Sequence, residues 1–587
     1  MNNKSSLVLL ACSAVVTLTA CVSEIDSAAH TPKTSPATVP ELREEIAESE
    51  DMSMGQHTSA NKWARSNSEL YSMAPSHDQS MLQSLQVPPM PIEQMPNELA
   101  LIEQQEKYQQ LVNNKLVLAS SQPVSTFSID VDTAAYSNVR RFLQSGSLPP
   151  VDAVRIEELL NYFDYHYAGP ESTEQPFSVM SELGVTPWNE KTRLLHIGIQ
   201  GYALEKEERP AANLVFLVDV SGSMASPNKL GLLKSSIKMM ANGLSAEDSV
   251  SMVVYAGASG VVLEPTPGND TRAINAALDS LAAGGSTHGS AGIELAYQLA
   301  AKNFKKEGIN RVLLATDGDF NVGISDIDKL KALIEHKREA GIALTTLGFG
   351  SGNYNDHLME QLADVGNGAY AYIDTLSEAQ KVLVDELGST LMTIAKDVKI
   401  QVEFNPAVVS EYRLIGYVNR KLANEDFNND KIDAGEIGAG HSVTALYEVA
   451  LKGDGGELNT PLRYGKDEKV GVNTEVGTEV NGEIAELRLR YKQPGSAISQ
   501  LISQIITRDT QTSEHSEQFH FSAAVAAFGQ QLRNSKYLGN YSFADTRALA
   551  NSAKGEDRFG YRAEFIQLLR LAETLYAGIE GYDNKSG

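Results

Sequence analysis

Hydrophobic and polar positions change rhythm three times along this chain. From about Ala211 to Leu387, short apolar runs (Leu214 to Val218, Val250 to Tyr255, Val312 to Ala315, Ile342 to Leu347) alternate with stretches of longer period, as in Leu230, Leu233, Ile237 and Met240. Uninterrupted apolar runs suit strands of a parallel sheet covered on both faces, and the longer spacing suits the helices that cover it. Residues 206–390 are therefore predicted to form a doubly wound α/β domain.

Upstream, Val124 to Asp130 reads as a strand, Asp132-Thr133 as a turn able to cap a helix, and Ala135, Val139, Phe142 and Leu143 as the apolar face of that helix. A second amphipathic helix over Asp152 to Phe163 and strands near Phe177 to Leu183 and Arg193 to Gln200 complete a small α+β module, placed at 122–205. Downstream of Thr393 the pattern turns β-rich: Val398 to Phe404, Ser442 to Leu451, and Glu483 to Tyr491 with Leu487, Leu489 and Tyr491 on one face. It ends helical, in Phe519 to Leu532 and Tyr561 to Tyr576, so 391–587 is expected to be a sandwich-like unit closed by helices. The whole is a multidomain α/β and α+β chain, as 587 residues require.

The first 121 residues carry no such pattern. Lys4, an apolar run from Leu7 to Leu18 and then Leu18-Thr19-Ala20-Cys21 form a segment too short to span a bilayer. Small residues leading into a cysteine resemble the lipobox of bacterial lipoproteins, which implies cleavage after residue 20 and acylation of Cys21. Val22 and Ser23 follow, where the inner-membrane retention rule of such lipoproteins wants Asp first, so the expected address is the outer membrane. Residues 22–121 are read as a disordered tether rich in Ser, Pro, Met, Gln and Glu, with a helix over 97–118. Its first 75 or so residues would span on the order of 50 Å as a coil.

Charge and cysteine content narrow the chemistry. A formal net charge of -26 with no basic block disfavours nucleic acid as a partner. The two cysteines are Cys12, inside the segment to be removed, and Cys21, so no intramolecular disulfide is available to the mature chain.

Candidate chemistry gathers where strands of the α/β domain end. One strand runs into Asp219-Val220-Ser221-Gly222-Ser223, a loop Gly284-Gly285-Ser286-Thr287 precedes a helix, and another strand ends in Thr316-Asp317-Gly318. Ligands of open α/β sheets bind beyond the carboxyl ends of the strands, so these loops should converge on one crevice. Asp-x-Ser-x-Ser followed by a distant Thr and a later Asp resembles the metal-ion-dependent adhesion site of von Willebrand factor A (VWA) domains, which have this Rossmann-like fold. The resemblance assigns the hydroxyls of Ser221, Ser223 and Thr287 to a metal, with Asp219 and Asp317 held behind them through water. Oxygen ligands of this kind suit Mg²⁺, or Mn²⁺ in its place. Two carboxylates leave such a cation under-neutralised, and an Asp or Glu from a protein partner can complete it.

His288 and Asp319 are read as solvated loop residues, Asp130 and Asp132 as turn formers rather than cation ligands. The run Asp426 to Glu436 has the acidic look of a calcium loop, but Lys431 stands where its Gly belongs and Glu436 falls one residue early. Phe127 to Phe142, Asp152 to Phe163 and Asp433 to Gly440 resemble the YfbK-type bacterial VWA lipoproteins, which share this order of parts. The expected function is a non-enzymatic, metal-dependent adhesion or assembly module anchored in the cell envelope. A metal-dependent hydrolase is the alternative from catalysis, and it lacks an evident general base or nucleophile elbow. A structural protein whose metal site is filled by its own carboxylate is the other.

Overall fold

The computed structural model describes residues 106–586 apart from 173, 205–207, 287–288, 319–326, 353, 460–481 and 509–514. The expected signal segment with Cys21, and residues 22–105 of the expected tether, lie outside the described residues. Among the described residues no helix is long and apolar enough to cross a membrane.

From Glu106 onward the chain is packed, which corrects the tether expected to residue 121 and the described part, 106–118, of the helix expected over 97–118. Leu111 is buried, and Leu111 N–H donates to Asp152 Oδ1 at 3.0 Å. Asn114 Nδ2 donates to the carbonyls of Leu414 (2.9 Å) and Gly416 (2.6 Å), and β1 (Val117–Leu118) pairs with Tyr412 and Glu411. Val112 and Leu116 would share a helical face but Leu111, the residue that is buried, lies off it, so extended backbone that bonds to its neighbours wins.

β2 (Val124–Ser128) leads into α1 (Ala134–Gln144), which buries Ala135, Val139, Phe142 and Leu143 as its spacing demands. Thr133 occupies the cap position without a side-chain bond; Glu158 Oε2 accepts Ala135 N–H at 2.7 Å instead. The second helix is shorter than expected, α2 (Ile156–Asn161), because Pro149-Pro150 and a 3₁₀ turn precede it. β3 (Phe177–Thr186) and β4 (Asn189–Gly201) follow.

The α/β domain then supplies β5 (Ala212–Asp219), α3 (Leu232–Ala241), β6 (Ser249–Tyr255), β7 (Ser259–Pro267), α4 (Thr271–Ser280), α5 (Gly289–Lys302), β8 (Ile309–Thr316), α6 (Ile327–Glu339), β9 (Ala343–Phe349), α7 (Asp356–Val365), β10 (Tyr370–Ile373), α8 (Leu376–Gln380) and α9 (Leu387–Leu391). Its sheet runs β10-β9-β8-β5-β6-β7, parallel except for the edge strand β7. Leu214, Phe216 and Val218 enter the core on one face and Val215 and Leu217 the core on the other, which is why β5 is apolar throughout.

The last part holds β11 (Thr393–Phe404), β12 (Val409–Ile415), β13 (Ile437–Gly438), β14 (Ser442–Leu451), β15 (Glu483–Lys492), β16 (Ser499–Thr507), α10 (Glu517–Leu532), α11 (Phe543–Ser552) and α12 (Tyr561–Ser586). Residues 122–205 and 391–587, expected to be two separate units, share their sheets. One sheet is ordered β1-β12-β14-β4-β3, and in the other β2 pairs with β11 beside β13, β15 and β16. Between them lies a single core with Phe127, Leu195, Ile197, Ile400, Phe404, Tyr447 and Leu487, while Leu194 and Leu446 face the helices. The α/β domain is inserted into this frame.

Arginines dock the domain on its frame. Arg140 of α1 donates to Asp374, to Glu378 (2.8 Å) and to Glu564 (2.9 Å), and Arg155 bonds Glu158 and Asp356. Arg420 reaches Asp364 (2.8 Å), Glu360 (3.2 Å) and Asp132 (3.3 Å). Carboxylates outnumber arginines there, and burial pushes Glu158 up to about 8 and Glu360 up to about 7, above the ordinary carboxylate range. A carboxyl whose folded pKa is raised stabilises the fold below its unfolded pKa, and that contribution is lost as pH rises through the folded value. Glu360→Gln is therefore expected to gain stability relative to the parent as pH rises from about 4.5 to about 7. Paired denaturant titrations at the two pH values read the difference, and an unchanged difference would sink this account of the interface.

Candidate metal centre

β5 ends on Asp219, which is 0% exposed and organised from three sides. Ser221 N–H donates to Oδ1 at 2.8 Å, a local turn that swings the chain out of the sheet. Thr316 Oγ1 donates to Oδ2 at 2.9 Å and the Tyr255 hydroxyl to the same oxygen at 3.2 Å. Tyr255 stands opposite Asp219 in the β5–β6 register, and Thr316 ends β8, so both neighbouring strands contribute. Burial raises the Asp219 carboxyl above its ordinary range and the nearby Asp317 charge adds to that, while the Ser221 N–H pulls it down.

A 3₁₀ turn over Gly222–Ala225 brings Ser221 Oγ and Ser223 Oγ to 2.9 Å from each other, the first buried and the second exposed. The glycine loop is fastened to this turn: Gly284 N–H donates to Val220 O at 2.8 Å and Gly222 N–H to Gly285 O at 3.1 Å. Gly285 takes φ 85°, a left-handed conformation that a side chain would strain. Asp317 is 3% exposed, and its Oδ2 accepts from Lys229 Nζ at 3.0 Å. Gly318 (φ 81°) lies close against the following segment, since a Cβ there would come within 2.7 Å of Asn355 N.

The structure thus brings Asp219, Ser221, Ser223 and Asp317 together at adjoining strand ends. Thr287, with His288 and Asp319, lies outside the described residues; the loop leading to Thr287 is beside Ser221. Thr316, Tyr255 and Lys229 were not singled out in the sequence. Thr316 and Tyr255 each close a strand flanking β5, the one signal that marks them. Among the described residues no group of three or more His, Cys, Asp or Glu is arranged for a metal.

Hydroxyl and carboxylate oxygens are the donors that a small, hard cation takes. Adjacent corners of an octahedron with metal–oxygen distances of about 2.0–2.1 Å lie about 3 Å apart, whereas the longer bonds of Ca²⁺ spread them to about 3.3 Å or more. The two serine hydroxyls are hydrogen-bonded to each other at 2.9 Å, a separation that two neighbouring ligands of a small cation could keep.

The other acidic clusters are committed to protein contacts. Asp130 Oδ1 accepts Asp132 N–H at 3.0 Å and Asp132 Oδ1 accepts Tyr370 N–H at 2.7 Å, the turn role expected of them, with Arg420 beside both. In the Asp426 to Glu436 run, Asp430 takes Arg490 (3.1 Å) and Asp433 takes Arg338 (2.6 Å), so the carboxylates diverge instead of forming a cage.

Thr316→Val keeps the shape of the side chain while leaving Asp219 Oδ2 one donor short in a dry setting. A stability loss of about 1–3 kcal/mol is expected in denaturant unfolding; a loss below a few tenths would mean that Thr316 does not hold Asp219.

Three family models match the chain: von Willebrand factor over residues 102–196, von Willebrand factor type A domain over 213–386, and the C-terminal region of uncharacterized protein YfbK over 389–575. Uncharacterized protein YfbK of Escherichia coli (strain K12) is 49% identical over 473 residues, covering 80% of this chain and 81% of that protein. Inter-alpha-trypsin inhibitor heavy chain H3 of Homo sapiens is 25% identical over 262 residues, 41% of this chain and 28% of that one. Among solved structures, a von Willebrand factor type A protein from Catenulispora acidiphila aligns over 70% of this chain and 91% of its own at 15% identity, with a TM-score of 0.39.

Proposed function

We propose, for a chain that belongs to the YfbK family of von Willebrand factor A proteins, a non-enzymatic role at the bacterial cell envelope: lipid-anchored through Cys21, it binds an Asp or Glu of a protein partner at a Mg²⁺ or Mn²⁺ ion. VWA domains mediate protein–protein interactions and commonly bind a divalent metal. The finer reading rests on one observation, the pair of serine hydroxyls 2.9 Å apart whose backbone is locked by a buried Asp219.

Ser221, Ser223 and Thr287 are the ligands in this reading, with Asp219 and Asp317 behind them. A cation there supplies an open coordination position for a carboxylate, and this chain supplies orientation. Asp219 is held by Thr316 and Tyr255, so the Ser221 turn does not have to reorganise when a partner arrives. Lys229 neutralises part of the Asp317 charge and leaves the centre dependent on an incoming anion. The lipobox at Cys21 and Val22-Ser23 after it support outer-membrane attachment, with the partner reached by way of the tether.

A second reading is favoured by the position of the chain just after the tether. Glu106 Oε1 accepts Gly352 N–H at 3.0 Å, and Lys107 pairs with Asn355, the residue against which Gly318 packs. The first segment of the chain thus runs close to the 317–318 loop, although Glu106 itself is bound by Tyr108 and Arg141, and a carboxylate of this same chain at the metal position would make the role structural.

Calorimetry with Mg²⁺ and Mn²⁺ on the parent and on a Ser221→Ala/Asp317→Ala variant tests the site. Saturable binding in the parent alone is expected; no binding in either would reduce the domain to a scaffold. Chelation separates the two readings, because a partner-binding role predicts a fall in melting temperature no larger than the measured metal affinity accounts for, and a structural role predicts a larger one.

A further inference from the structure

The strand β16 closes one sheet of the frame, with β15 on one side and no further strand among the described residues on the other. Open edges are ordinarily protected by charge, proline, a bulge or a cover, because their unpaired backbone groups are a template for another strand. β16 reads Ser-Gln-Leu-Ile-Ser-Gln-Ile-Ile-Thr over nine residues, without charge or proline, in a chain that is 21% charged.

Its outward face inverts the order that water selects. The register sets Ile505, Ser503 and Leu501 beside Glu486, Arg488 and Arg490 of β15, with Glu403 and Gln401 of β11 beyond them. The interior strand therefore carries the charges and the rim carries the aliphatic side chains, Leu501 at 56% and Ile505 at 45% exposure. On the inward face Ile506 is buried and Ile502 packs on the sandwich core, so the strand's placement and register are anchored from within.

We infer that β16 is a self-association edge, at which two copies of this chain pair antiparallel about Ser503 to join their sheets. The order of residues specifies this occupant. About that centre Leu501 meets Ile505 of the second copy, Ile502 meets Gln504, and Ser503 meets Ser503. Directly opposed side chains on paired strands have Cβ atoms about 4.5–5.5 Å apart, so the two Leu501/Ile505 pairs form two apolar patches, one on either side of the Ser503 pair and about 13 Å from each other. No like charges face one another in that register. The net charge of -26 on each copy opposes approach at longer range, and salt screens it over about 8 Å at physiological ionic strength, so association is stronger at higher salt.

The test uses the full chain, whose natural cysteines are Cys12 and Cys21. Under mild oxidation Ser503→Cys is expected to give a covalent dimer beyond any formed by the parent. Gln500→Cys, which faces Ile506 of the other copy and lies far from its own counterpart, is expected to give none. Sedimentation velocity should show the parent moving toward twice the monomer mass as concentration and salt rise. Ser503→Lys, opposing two ammonium groups at the exposed centre, should weaken the dimer by about tenfold or more with an unchanged melting temperature. A parent that stays monomeric, as it would if another segment of this chain covers β16, overturns the inference. So does cross-linking that is equal at positions 500 and 503, or a Ser503→Lys variant that associates like the parent.

Discussion

Eight consecutive pairs between β4 and β14, from Arg193 opposite Val449 to Gln200 opposite Ser442, are the constraint on which the rest of the structure depends. β4 precedes the α/β domain and β14 follows it by more than fifty residues of chain, so this ladder closes a long loop whose content is the whole domain. Closing it is entropically costly, and the sandwich core that both strands help to bury offsets the cost. Leu195, Ile197 and Ile199 from one segment and Val443, Ala445 and Tyr447 from the other lie in the same cluster. Neither segment could bury its apolar face alone.

An inserted domain needs orientation as well as attachment, and arginines provide it. Arg140 and Arg155 reach from the first segment into β10, α8 and α7 surroundings through Asp374, Glu378 and Asp356, and Arg420 does so from the second through Glu360 and Asp364. Buried ion pairs of this kind contribute less to net stability than to a defined arrangement, because desolvation consumes much of the Coulomb attraction. They hold one side of the domain, while the strand ends bearing Asp219, Ser221, Ser223 and Asp317 draw their geometry from the sheet itself. The site is then a product of β5, β6 and β8 in register, which explains why Tyr255 and Thr316 matter to it although neither belongs to the Asp-x-Ser-x-Ser pattern.

Legibility followed the strength of periodicity. Leu214 to Val218, Ser442 to Leu451 and the Leu487, Leu489, Tyr491 alternation were readable because burial on two faces or one imposes a run or a period of two. β7, β10, β12 and β16 were missed, as were the two-residue β1 and β13: β7 and β16 are edge strands with mixed exposure, β10 is only four residues long, and β12 mixes polar and apolar residues such as Arg413 and Leu414 that are buried alike. Residues 106–118 were misread because helix-like composition is a weak local preference that Asn114 and Leu111 override through contacts far away in the chain.

By itself the sequence determined the identity of the candidate ligands, the doubly wound character of 206–390 and the acidic, cysteine-poor chemistry of the whole, since these depend on residue type and on local period. Only the tertiary structure decided that the first and last parts are one sandwich, that Arg140, Arg155 and Arg420 dock the inserted domain, and that Thr316 and Tyr255 secure Asp219. Strand pairing between Arg193 and Val449 leaves no local trace, because either strand's alternation is compatible with many partners. Which partner is taken is settled by the shared core, and that exists only once the chain has closed on itself.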